Sequence, residues 1–105
     1  MDNKDKLLKY AIYYLSKYSS SKKNLESILK KKIRRLSDEK QIRFHLYNEI
    51  QIIIEKLEKL NLINDQVFVE SKIQSLQYQA KSQNYIKQYL LQKGIDKQLI
   101  EEQIS

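Results

Sequence analysis

The stretch that decides the fold is LINDQVFVESKIQSLQYQAKSQNYIKQYLLQKGIDKQLIEEQI, residues 62–104. It combines an acidic helix start, a Lys-Gly-Ile-Asp stop and a partial repeat of the sequence found 61 residues earlier. At that offset the matching pairs are Val69 with Leu8, Ile73 with Ile12, Leu76 with Leu15, Ser82 with Ser21, Ile86 with Leu25, Leu90 with Leu29 and Lys93 with Lys32. Similarity at one fixed offset predicts tandem helical units, because each unit needs a neighbour to cover its apolar face. Such arrays usually bind an extended partner.

The composition favours helix along nearly the whole chain. The 105 residues include no proline and one glycine, Gly94, so the residues that usually mark turns and hairpins are almost absent. Since there is no cysteine, the sequence excludes disulfides and thiolate metal sites, as is compatible with a reducing cytoplasm. The first residues, MDNKDK, are charged and precede no long apolar run, so neither a signal peptide nor a membrane span is expected.

Apolar residues at helical spacing predict three helices in a first unit, residues 1–60. The first helix covers about residues 4–18, with an apolar stripe of Leu8, Ala11, Ile12, Leu15 and Tyr18. Ser19–Ser21 end it and cap a second helix, whose buried stripe is Leu25, Ile28, Leu29, Ile33 and Leu36. Ser37 or Asp38 caps a long third helix, whose inward residues are Ile42, Leu46, Ile50, Ile53, Leu57 and Leu60. Phe44 and Tyr47 point away from that stripe; they either pack on a neighbouring helix, the favoured interpretation, or form an exposed contact.

The same signals predict three shorter helices in a second unit, residues 61–105. Asn61 is the expected left-handed end of the helix before, and Asn64 or Asp65 starts the next, which buries Phe68, Val69, Ile73 and Leu76. Ser82 caps the following helix, with Ile86, Tyr89 and Leu90 inside, and Gly94 ends it. Ile95 contacts the helix that Gly94 ends, and Asp96 caps a last helix with Leu99, Ile100 and Ile104. The predicted fold is all-α, with two tandem three-helix repeats and no strands.

Positive charge is concentrated in one part of the chain. Residues 17–43 hold ten Lys and Arg against three acidic residues, so they carry the whole net charge of +7. On the second helix, burial of the leucines turns a row of cations toward water, and the candidate contacts are Lys23, Lys30, Lys31, Arg34 and Arg35. Such a patch suits a polyanion or an acidic protein surface. The alternative is that these charges only solvate the helix.

The sequence offers no credible catalytic, metal or cofactor site. His45 is the only histidine, and the acidic neighbours Asp38–Glu39 and Glu101–Glu102 point in different directions on a helix. There is no glycine-rich phosphate loop and no plausible nucleophile set. Of the eight tyrosines, Tyr10, Tyr13, Tyr14 and Tyr18 surround one short helix, where core packing is favoured over stacking on bases. No enzyme, cofactor, metal or small-molecule substrate is therefore expected.

Several of these segments resemble the RecX family, regulators of the RecA recombinase that are built from tandem three-helix repeats. The first repeat is similar to YAIYYLSKYSSSKKNLESILKKKI, through Ser21, Leu25 and Leu29. The second is similar to LEKLNLINDQVFVES, through Asp65 and Phe68, and to IKQYLLQKGID, through Ile86, Leu90, Lys93, Gly94 and Asp96. The resemblance covers residues 7–104 and is that of a short form with about two of the family's three repeats.

The resemblance implies a cytoplasmic protein that lies in the groove of the RecA–single-stranded DNA filament and restrains or disassembles it, without catalysis. The expected partners are the RecA filament and its single-stranded DNA, and no membrane. Two other interpretations stay open. One is a general helical DNA-binding protein that acts without RecA, and the other is a folded scaffold whose cations bind nothing.

Overall fold

Six α-helices follow one another in the computed structural model, which describes residues 2–104 and contains no strand within them. They are α1 (Asn3–Lys17), α2 (Lys22–Leu36), α3 (Lys40–Lys59), α4 (Asp65–Tyr78), α5 (Gln83–Gln92) and α6 (Lys97–Ile104). The all-α fold class predicted from the sequence is confirmed. The predicted units began at residue 1 and ended at residue 105, and these two positions lie outside the described residues.

Polar side chains start most of the helices by accepting backbone N–H groups that have no partner in a first helical turn. The acceptors are Asp2 for α1, Ser21 for α2, Asn64 for α4, Ser82 for α5 and Asp96 for α6. The starts predicted at Ser21, Asn64, Ser82 and Asp96 are confirmed.

The start predicted for α3 at Ser37 or Asp38 is wrong. Glu39 occupies the cap position, and its side chain makes no cap hydrogen bond. The hydroxyl of Ser37 accepts the N–H of Glu39 at 3.1 Å, so this serine closes a turn before the helix instead.

Three helices end at a residue with left-handed backbone. These residues are Asn61 (φ 61°), Ala80 (φ 62°) and Gly94 (φ 78°). In each case the next residue donates its N–H back into the last turn: Leu62 to the carbonyl of Leu57, Lys81 to that of Leu76 and Ile95 to that of Leu90, at 2.9–3.1 Å. The ends predicted at Asn61 and Gly94 are confirmed, whereas Ala80 was not anticipated.

The apolar side chains form two separate clusters. The first lies among α1, α2 and α3, and its fully buried members are Leu7, Ala11, Leu25, Leu29, Ile33 and Leu57. The second lies among α4, α5 and α6, around Val69, Leu90 and Ile100. Ile63 packs in the first cluster, although it follows the predicted unit boundary at residue 60.

Five residues predicted to be buried or packed are exposed instead. They are Ile12, Tyr13, Tyr18, Phe44 and Leu60, with exposed fractions of 44–63%. In α1 the buried face is centred on Leu7 and Ala11 and is therefore rotated relative to the predicted stripe. The reason is that α2 and α3 contact the helix on that side. Phe44 lies on the outer side of α3, opposite the residues that this helix buries, and Leu60 lies beyond the last turn of α3.

The first turn of α2 holds the two clusters together. The hydroxyl of Ser21 donates to the carbonyl of Lys93 at 2.6 Å, and the N–H of Lys22 donates to the carboxylate of Asp65 at 2.8 Å. Gly94 lies so close to the stem of Lys23 that a Cβ at this position would collide with the Cβ of Lys23. We call this contact region, formed by Ser21–Lys23, Asp65 and Lys93–Gly94, the seam. The joined molecule is elongated, measuring 45 × 25 × 23 Å.

Candidate functional site: the cationic face of α2

The candidate contact residues are all exposed on one helix. Because α2 buries Leu25, Leu29 and Ile33 completely, the side chains on its opposite side must point into water. Lys23, Lys30, Lys31, Arg34 and Arg35 are each exposed there, and we call this set the cationic face. The structure thus brings together on one side the residues that the sequence selected.

Glu26 neutralises part of the cationic face near the start of α2. Its carboxylate lies 3.2 Å from the ammonium of Lys30 and 3.7 Å from that of Lys23. Pairs at these helical spacings are common and weak, since water screens them. The two lysines therefore carry less net charge toward a partner than their number suggests.

The second half of the cationic face keeps its full charge. Within residues 2–104, Lys31, Arg34 and Arg35 form no ion pair. Two carbonyls near the end of α2 are capped not by these residues but by Arg43 of α3. Its guanidinium donates to the carbonyl of Ser37 at 2.6 Å and to that of Arg34 at 3.0 Å. The three free cations are thus available to an incoming anion.

Two further lysines of α2 make contacts within the molecule. The ammonium of Lys22 donates to the carboxylate of Glu58 at 3.0 Å, and the ammonium of Lys32 lies 4.8 Å from the ring centre of Tyr10. The hydrogen bond to Glu58, helped by the charges of Glu58 and Asp65, raises the pKa of Lys22 above its usual value, although burial opposes this. The ammonium of Lys22 thus links the first turn of α2 to the last turns of α3.

A shallow cleft extends the cationic face toward the second cluster. It lies between α2 and the end of α5, has a volume of about 290 Å³, and includes Lys23, Lys30 and Lys93 in its lining. The ammonium of Lys93 lies 5.7 Å from the ring centre of Tyr89. Sequence reasoning did not place Lys93 beside α2, because only the contacts at the seam bring these distant residues together.

The remaining candidate residues of the sequence are His45 and the tyrosines around α1. His45 is exposed on α3, with its ring 6.2 Å from that of Phe44, and residues 2–104 contain no group of three side chains suited to a metal ion. Of the four tyrosines around α1, Tyr10 and Tyr14 pack on the first cluster, while Tyr13 and Tyr18 are exposed. Among the described helices, none is both long and apolar enough to span a bilayer.

Comparison with known proteins finds similarity to the family suggested by the sequence. Residues 64–103 match the family model described as RecX, second three-helix domain. The chain is 40% identical over 97 residues to the regulatory protein RecX of Streptococcus uberis, an alignment that covers 90% of this chain and 33% of that relative. It is 24% identical over 101 residues to the regulatory protein RecX of Myxococcus xanthus, covering 90% of this chain and 51% of that relative.

The chain therefore spans between a third and about half of the length of the curated relatives that it matches. No solved structure matches it. The matched segment begins at the cap of α4 and ends in α6, so it coincides with the second cluster of helices. The predicted resemblance to the RecX family is confirmed, and over residues 64–103 it is a similarity to the second three-helix domain of that family.

Proposed function

We propose that this chain is a cytoplasmic, RecX-like regulator that binds the RecA–single-stranded DNA filament and inhibits the recombinase. Lys23, Lys30, Lys31, Arg34 and Arg35 face the phosphates of the strand or an acidic surface of RecA, and no catalytic step is involved. The two helix triplets, residues 1–60 and 61–105, act as its two repeat units. The partners are RecA and its bound strand; the proposal includes no membrane and no small-molecule substrate.

The observation that carries this proposal is the free half of the cationic face. Lys31, Arg34 and Arg35 form no ion pair within residues 2–104, and Arg43 relieves them of a capping role. A cluster of unpaired cations on a rigid helix suits a row of phosphates, since each neutralised phosphate releases counterions. The elongated shape of the molecule, 45 Å in its longest dimension, suits a fibre better than a small ligand.

The test compares two variants that lose the same charge at different places. The first carries Lys31→Gln, Arg34→Gln and Arg35→Gln; the control carries Lys6→Gln, Lys9→Gln and Lys97→Gln, which are exposed cations on α1 and α6. RecA on single-stranded DNA is titrated with each protein, and ATP hydrolysis and filament length are followed. We expect the parent and the control to inhibit, and the first variant to need several-fold more protein.

Two results would contradict the proposal. One is unchanged ATP hydrolysis and filament length with the parent protein in several-fold excess over RecA. The other is binding to naked DNA that is as tight and as salt-sensitive as binding to filaments, which would favour a DNA-binding protein that acts without RecA.

The first variant is also expected to change the salt dependence of binding. In a plot of the logarithm of the binding constant against the logarithm of the salt concentration, the slope should become shallower by up to about 2, at about 0.7 for each lost phosphate contact.

A further inference from the structure

A long segment of the second cluster contains no acidic residue. Between Glu70 and Asp96 the chain has four lysines, Lys72, Lys81, Lys87 and Lys93, together with seven glutamine and asparagine residues. The whole sequence holds thirteen acidic residues, none of them in this stretch, and the four lysines form no ion pair within residues 2–104. A surface of this composition attracts a polyanion and offers amide groups for hydrogen bonds.

Two exposed tyrosines flank the connection between α4 and α5. Tyr78, the last residue of α4, is 93% exposed, and Tyr85, in the first turn of α5, is 47% exposed. The ammonium of Lys81, in the connection itself, lies 5.0 Å from the ring centre of Tyr85. An aromatic ring that remains almost fully in water forgoes the stabilisation that burial would give, so Tyr78 is free to pack against a partner. We call the segment Tyr78–Tyr85 the α4–α5 corner.

The backbone of this corner is held by its own hydrogen bonds. Lys81 donates its N–H to the carbonyl of Leu76 at 3.0 Å, and the hydroxyl of Ser82 accepts the N–H of Tyr85 at 3.1 Å. Ala80 takes the left-handed conformation that the turn requires. The rings are therefore presented from a fixed turn, and a ligand that stacks on them orders little additional chain.

We propose that the α4–α5 corner binds single-stranded DNA, with bases stacked on Tyr78 and Tyr85 and with the ammonium of Lys81 facing the phosphates. Aromatic rings that alternate with cations suit an unpaired strand, because each base has a face that stacks and each nucleotide carries a charge. The choice of DNA rests on the proposed function; the site is separate from the cationic face of α2.

The test uses fluorescence anisotropy with a labelled thymidine oligonucleotide and an abasic oligonucleotide of the same length, which keeps the phosphates and lacks the bases. Tyr78→Ser is expected to weaken binding to the thymidine strand by about five-fold or more, and to leave binding to the abasic strand unchanged. Tyr78→Phe keeps the ring and is expected to bind like the parent. Tyr13→Ser is the matched control, since Tyr13 is 56% exposed and the ammonium of Lys17 lies 5.3 Å from its ring centre.

The proposal is overturned if the parent binds no oligonucleotide, if Tyr78→Ser binds the thymidine strand like the parent, or if it loses the same factor on both strands. A loss of binding to RecA filaments without any loss on the naked strand would instead make Tyr78 a protein contact. RecA is absent from the oligonucleotide test, so its outcome is independent of recombinase inhibition. If the parent inhibits RecA but Tyr78→Ser binds the thymidine strand like the parent, only this proposal is overturned. If Tyr78→Ser loses binding to the thymidine strand alone but the parent does not inhibit RecA, only the proposed function is overturned.

Discussion

At the scale of single residues, the three left-handed helix ends are filled by three different amino acids. Gly94 takes this backbone without strain, Asn61 tolerates it, and Ala80 adopts it against the preference of its Cβ. The glycine and the asparagine could be predicted because these residues are typical of helix ends. The alanine could not, since its conformation is imposed by the packing of α4 against α5 and by the hydrogen bond from Lys81 to Leu76.

Replacing Ala80 by glycine is expected to stabilise the protein. Removal of the Cβ relieves the left-handed strain, while the added freedom of the unfolded chain offsets part of the gain, so the free energy of unfolding should rise by about 0.5–1 kcal/mol. Urea denaturation followed by circular dichroism at 222 nm measures it. Gln74→Gly, at an exposed position inside α4, is the control and is expected to lose about 0.5–1 kcal/mol.

Gly94→Ala is expected to have the opposite effect at another helix end with left-handed backbone. The new Cβ meets both the left-handed backbone and the stem of Lys23, so we expect a loss of about 2–3 kcal/mol in the same urea experiment. If Ala80→Gly lowers the free energy of unfolding, or if Gly94→Ala leaves it unchanged, the left-handed backbone at these positions does not determine the stability of the protein.

At the scale of helices, the sequence located every helix but not every helix face. Starts and ends depend on neighbouring residues, so Ser82 and Asp96 could be identified from local pattern alone. Which side of α1 is buried depends on where α2 and α3 lie, and the sequence pattern favoured Ile12 over Leu7. The pairing of Glu26 with Lys23 and Lys30 was predictable in principle, because spacings of three and four residues bring side chains together on a helix.

The capping role of Arg43 at the end of α2 can be tested by substitution. Arg43→Gln removes the charged donors that satisfy the carbonyls of Ser37 and Arg34, and we expect the free energy of unfolding to fall by about 1–2 kcal/mol. Thermal and urea unfolding measure this loss. Arg35→Gln, on α2, is the matched control, because the exposed guanidinium of Arg35 forms no ion pair within residues 2–104, and the free energy of unfolding should change by less than about 0.5 kcal/mol. Equal losses in the two variants would exclude the capping role.

At the scale of the whole molecule, the seam was beyond the reach of sequence pattern. The hydrogen bond from Ser21 to Lys93 joins residues 72 positions apart, and that from Lys22 to Asp65 joins residues 43 positions apart. Helical periodicity describes neighbours within one helix and does not tell which helix ends meet. The cationic face of α2 could be selected from the sequence, whereas its continuation to Lys93 required the arrangement of the two clusters.

The two equivalent serines provide a measurement of the seam. Ser21→Ala removes the cap of α2 and the bond to Lys93, while Ser82→Ala, 61 residues later, removes only the cap of α5. Each cap is expected to contribute about 1 kcal/mol, so the loss in Ser21→Ala should exceed that in Ser82→Ala by about 1 kcal/mol in urea denaturation. Equal losses in the two variants would mean that the Ser21–Lys93 contact does not stabilise the junction.

The carboxylate of Asp65 has a consequence for the direction from which a nucleic acid reaches α2. It already occupies the amino terminus of this helix, where the aligned peptide dipoles would otherwise attract a phosphate group. An approaching strand is therefore repelled from that terminus and drawn toward the far end, where Arg34 and Arg35 stand beside carbonyls that Arg43 has covered. Together with Glu26, this aspartate gives the basic helix a polarity, and a strand that contacts α2 is expected to do so at the end distant from the second helix triplet.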